Sequence, residues 1–135
     1  MDYKVVAKYL SAVANLIGVL MTLSLPWAFP MFGGDWDYEE QGFKGLMLSI
    51  FVSFLVGYAL KKIGKGASPR LFRKEAMAVV GLSWVLATIL GALPFIFSGT
   101  ERARFVENVN GVEKTVSIKM SPIDAMFEAQ SGFST

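Results

Sequence analysis

Two carboxylates, Asp124 and Glu128, stand one helical turn apart and lead into the run Ala129-Gln-Ser-Gly-Phe-Ser-Thr135. The four-residue spacing puts them on one face of a helix. As an acid–base pair they lack company. No nucleophile, metal-ligand set or phosphate loop accompanies them, and the chain has neither histidine nor cysteine. Asp124 also has a purely structural reading. Ser121 is a helix cap, Pro122 fits the first helical position, and Asp124, three residues past the cap, can reach back to it. The functional alternative for both acids is an external mouth that concentrates cations, and for Glu128 the competing role is a hydrogen bond to nearby loop backbone. The residues beyond the acids are more telling. The negative, C-terminal end of this short helix is aimed at a Ser/Gly/Thr backbone segment, the arrangement of a half-buried pore helix and a carbonyl-lined cation filter. The chemistry on offer is ion coordination, and no bond need be made or broken.

Such a helix needs a membrane frame, and the rest of the chain supplies one. Of 135 residues 53% are hydrophobic, and the mean hydropathy is +0.48. That is too apolar for an ordinary soluble domain of this size. Without cysteine there is no disulfide or thiolate site, and the net charge of +2 gives no reason to expect a nucleic-acid partner. Three stretches lack charge. The first has its core at 10–28. The second, 45–60, is about 24 Å long as a helix, so Lys44 and Lys61 must snorkel to complete it. The third runs over 76–97. The first is too long for a signal peptide, and Trp27, Phe29 and Phe32 stand where a cleavage site would need small residues. Pro26 and Pro94 lie near span ends, where they terminate or bend helices. Asn15, strongly polar inside the first span, reads as an interhelical hydrogen-bond partner. Gly81, Ala87, Gly91 and Ala92 should let the third span approach its neighbours closely, and Met47 and Met77 read as packing residues.

Charge placement orients the spans. Lys4 and Lys8 precede the first, and the 61–75 loop carries Lys61, Lys62, Lys65, Arg70, Arg73 and Lys74 against Glu75 alone. The first connection carries Asp35, Asp37, Glu39 and Glu40 before Lys44. The N-terminus and the 61–75 loop are therefore expected in the cytoplasm, with the 32–42 and 98–120 loops outside. Trp27, Trp36 and Tyr38 mark the outer boundary. In the 98–120 loop, Asn110-Gly111 sits between alternating segments and predicts a small hairpin.

Gly91-Ala-Leu-Pro-Phe-Ile-Phe-Ser98, the polar loop, and Asp124-Ala-Met-Phe-Glu-Ala-Gln-Ser-Gly-Phe-Ser-Thr135 together resemble the first pore repeat of the Trk/Ktr potassium-uptake family, its TrkH/TrkG branch above all. The last third carries the specific match. The leading pair of spans matches by hydropathy and position alone. The family pattern goes on to Thr-Gly-Ala, which this sequence does not reach, so the chain reads as the front of a larger transporter. The resemblance implies an all-α membrane protein, three transmembrane helices plus a short re-entrant pore helix, as an incomplete part of a four-repeat potassium-channel-like fold. Residues 1–66 would be two leading helices and 67–135 the first membrane–pore repeat. By matching, Ser134 and Thr135 open the filter as backbone-carbonyl ligands of potassium, and Gly132 permits the turn into it. The family also implies a bacterial or archaeal inner membrane, the remaining repeats as partners within the bilayer, a homodimer and a cytoplasmic nucleotide-binding regulatory subunit. It implies no cofactor and no enzymatic activity, with potassium as the transported substrate. A small three-span accessory or assembly protein without a filter is the other reading.

Overall fold

The computed structural model describes residues 2–28, 36–68, 70–109 and 112–134. Three long helices, α1 (Tyr3–Ala28), α2 (Trp36–Ile63) and α3 (Arg73–Phe97), are each long and apolar enough to cross a membrane. A two-stranded antiparallel hairpin, β1 (Glu101–Val109) and β2 (Val112–Lys119), comes next, and then the short helix α4 (Pro122–Ser134). The three apolar helices expected are present, and the hairpin pairs where the alternating pattern placed it. The Asn110-Gly111 turn itself lies outside the described residues, as do the side chains of Trp27, Trp36 and Tyr38.

The helices outrun the apolar cores, for reasons at their ends. Asp2 caps α1: its Oδ1 accepts the Lys4 N–H at 3.0 Å, and its carbonyl accepts from Val5 and Val6. The α2 helix begins at Trp36, so residues 36–42 are helical where a loop was expected. The acidic run there sits in the first turns, where the helix dipole favours it, and Glu40 pairs with Lys44 one turn on. Pro26 and Pro94 are both inside helices, two and three residues from the ends. After Pro94, α3 closes normally: the Ser98 N–H donates to the Pro94 carbonyl at 2.9 Å, and Gly99 takes the left-handed conformation (φ 66°) that turns the chain into the hairpin.

Packing of α1 on α2 runs through small residues. Gly45, Ser49, Ser53 and Gly57 recur every fourth position on α2 and are all buried. The hydroxyls fold back on their surroundings: Ser49 Oγ donates to the Gly45 carbonyl at 2.7 Å, and Ser53 Oγ to Met21 Sδ at 3.8 Å. With no side chains in the way, backbones touch. A Cβ at Gly64 would lie 2.8 Å from the Lys8 nitrogen, and one at Gly45 would lie 2.6 Å from the Ser98 nitrogen. Thus α2 leans on the start of α1 at one end and on the end of α3 at the other. Asn15 sits against Gly57, where a Cβ would collide with its side chain. Between these points Ala14, Ile17 and Leu90 form the central apolar cluster.

Gly81 behaves differently from expectation. Nothing of the described residues would meet a Cβ there within 4 Å, so it makes no close contact inside this chain. The small residues that matter on α3 are Gly91 and Ala92, further along.

Candidate functional site

The start of α4 is fixed by a reciprocal cap. The Asp124 N–H donates to Ser121 Oγ at 3.2 Å, and the Ser121 N–H and hydroxyl donate to Asp124 Oδ2 at 3.2 and 2.7 Å. This is the Ser-x-x-acid box, so the Asp124 carboxylate is engaged by its own helix start. The hairpin delivers the chain to this point, closed at its base by a 2.9 Å bond from the Met120 N–H to the Thr100 carbonyl.

From that cap, α4 runs back along α3. Ala125 and Ala129, one turn apart and both buried, pack on Ala92 with Met120 beside them. Gln130 hydrogen-bonds the Thr88 hydroxyl, a turn further down α3. Beyond it, the Phe133 ring lies over Gly91, where a Cβ would come within 2.8 Å of the ring edge. The same ring borders a groove of about 350 Å³ with Val80, Ser83, Trp84 and Ala87 of α3 and Val13 of α1. The contacts of α4 thus gather on the Thr88–Ala92 stretch of α3. Thirteen residues make a helix about 20 Å long. Near its far end, Phe133 meets α3 at Gly91, in the C-terminal half of that 25-residue helix.

The site residues expected from sequence are spread along this helix. Asp124 is at the capped end. Glu128 is exposed on the same helix, one turn on. Gly132 is exposed, and no atom of the described residues would meet a Cβ there. Ser134 is the last helical residue, its hydroxyl donating to the Ser131 carbonyl at 3.3 Å. Thr135 lies outside the described residues. The turn expected at Gly132 is not made: helix α4 continues through Gly132 to Ser134. A helical glycine costs only about 1 kcal/mol relative to alanine, and the seating of Phe133 over Gly91 holds the last turn in register. The far end of α4 is the negative end of its helix dipole, and there the Ser131 carbonyl is taken by the Ser134 hydroxyl.

Three features escape a reading of the sequence alone. The four-residue spacing of Gly45, Ser49, Ser53 and Gly57 is a small-residue signal on the second span, of the same kind as the one on the third. The Thr88–Gln130 bond and the Gly91–Phe133 contact join residues 42 apart in sequence, and no local pattern announces them. Glu75, in the first turn of α3, accepts the Asp2 N–H at 3.1 Å and is 5% exposed, although its neighbours in sequence mark it only as the lone acid of a basic loop. No protein-family model, curated protein or solved structure matches the chain.

Proposed function

We propose that the chain is the leading membrane–pore part of a Trk-type potassium-uptake transporter. In this reading α4 is the pore helix, entering the bilayer from the outside, and Ser134 and Thr135 open a carbonyl-lined filter. The observation that carries it is the packing of α4 against the C-terminal half of α3, from the capped Ser121–Asp124 end through Ala125 and Ala129 on Ala92 to the Phe133 seat over Gly91. Positive charge at the opposite end of the spans supports this orientation. A helix that ends at membrane depth is tolerated only where protein or a watery pathway receives it, and at the negative end of the helix dipole a cation is the partner of the right sign. Ser134 and Thr135 then supply the first filter carbonyls. Glu128 faces the external approach, and Asp124 is occupied by the cap.

One such repeat encloses about a quarter of an ion's coordination shell, so the chain conducts only together with further repeats. A homodimer and a cytoplasmic nucleotide-binding regulator in a bacterial or archaeal inner membrane belong to the same proposal. A three-span accessory role is the second reading, favoured by the unbroken helix across Gly132.

Rubidium uptake by cells making the protein in its natural full-length form separates the two. Thr135→Ala should lower uptake by about ten-fold, the equivalent of one ~1.4 kcal/mol interaction at the filter. Lys61→Gln and Lys65→Gln should leave it nearly unchanged. Equal losses from both kinds of variant would remove the filter assignment.

A further inference from the structure

We infer that the charged end of the helix bundle is a binding surface for the headgroups of anionic phospholipids, assembled from three separate elements. This inference needs only that the helices span a bilayer and stands apart from the potassium reading.

Two cations, Lys4 and Lys8, come from the first turns of α1, and two more, Lys61 and Lys62, from the last turn of α2. Lys65 and Arg70 lie in the connection, and Arg73 and Lys74 open α3. All eight side chains are exposed. In sequence they are two groups more than 50 residues apart. Two contacts bring them to one place. Gly64 lets the end of α2 lie directly on α1, with a Cβ there 2.8 Å from the Lys8 nitrogen and 3.0 Å from the Lys4 carbonyl. Gly66, in the left-handed conformation (φ 79°), then turns the chain toward α3. On the other side the Asp2 N–H donates to Glu75 Oε1 at 3.1 Å, fastening the start of α1 to the start of α3.

The two acids at this end are Asp2 and Glu75, and both carboxylates accept backbone N–H groups. Among the described residues the eight cations form no ion pair with a carboxylate, whereas Lys44 at the opposite end does. Large side chains sit near the cations in sequence at this end: Tyr3 and Tyr58 are about two-thirds exposed, and Ile63 and Phe72 more than half. A topology signal requires only positive loops. It does not require α1, α2 and α3 to be pulled together at this end, nor the carboxylates to be engaged by backbone. Dense cationic charge beside exposed apolar rings fits a phosphate-bearing amphiphile, with charge meeting charge and rings meeting the glycerol region.

The test uses the full chain, purified in a neutral detergent and equilibrated with equimolar phosphatidylglycerol and phosphatidylcholine, with retained lipid counted by mass spectrometry. Several-fold preference for phosphatidylglycerol is expected, falling as salt is raised. Joint replacement of Lys4, Lys8, Lys61 and Lys65 by Gln should abolish the preference, each lysine contributing up to about five-fold. The same four changed to Arg should keep it, as should Lys44→Gln with Lys119→Gln at the other end. Equal retention of the two lipids by the unaltered chain, a preference insensitive to salt, or equal losses from changes at either end would overturn the inference. A soluble acidic partner as the true ligand would appear as the first of these outcomes.

Discussion

The pair α1–α2 and the pair α3–α4 solve the same packing problem in opposite ways. In the first, small residues on α2 let it lie close to α1, with backbone contact at Gly64 and the Asn15 side chain seated on Gly57. In the second, the most apolar span of the three is covered along one half by a helix half its length. Burial within the chain falls from 44% of the first span to 28% of the second and 11% of the third, although α3 has the highest hydropathy. Lipid tails are as apolar as leucine, so burial by itself does not drive spans together. Close approach through small residues and a few polar contacts does. The α1–α2 pair is thus the more closely packed, although Leu23, Phe51 and Leu55 still face outward, and α3 is the less finished span, with Met77, Val80, Leu82 and Val85 turned outward. Function is expected on the unfinished side, where α4 ends.

The sharpest way to break this comparison is to fill its glycines. Gly45→Val places a side chain into the Ser98 backbone, and Gly64→Val into the Lys8 backbone. Neither obstacle can move without shifting a helix, so each should destabilise the chain by about 3 kcal/mol or more in detergent thermal unfolding. The matched change Gly81→Ala meets open space and should be neutral or stabilising. A second contrast lies at the α3–α4 seat. Ala129→Leu overfills the contact with Ala92 and should cost about 1–3 kcal/mol, releasing α4 to proteolysis while α1–α2 stays protected. Third, Ser121→Ala removes one half of the cap and should cost about 1 kcal/mol, seen as faster hydrogen exchange in the first turn of α4 only. The smallest effect is expected at Glu40–Lys44, whose side chains are about two-thirds exposed; Lys44→Gln should leave the melting temperature unchanged.

Much of this is legible in sequence because it is local. Uncharged stretches mark the spans, alternation around Asn110-Gly111 marks the hairpin, and Ser121-Pro-Ile-Asp marks the start of α4. Helix ends are harder. Acidic residues near Trp36 look like loop until their favourable place at a helix N-terminus is considered. Glycines are hardest of all, because a glycine in a sequence says that backbone can approach but not whose. Gly81 and Gly91 read alike, yet one faces nothing and the other holds Phe133. For the same reason Gly132 suggests a turn: it permits one, but the ring beside it keeps the helix going.

The claim at the centre is that α4 descends from the external face and ends beside an ion path. These 135 residues contain no cysteine, so Ser134→Cys, made in the full-length protein with any further cysteine replaced, places a single thiol reporter at the far end of α4. Labelling of that thiol by a membrane-impermeant maleimide on intact cells, with and without potassium, tests the claim directly. The account predicts reaction from the outside that slows as potassium is added. Reaction only from the cytoplasmic side, or at a rate indifferent to potassium, would contradict it.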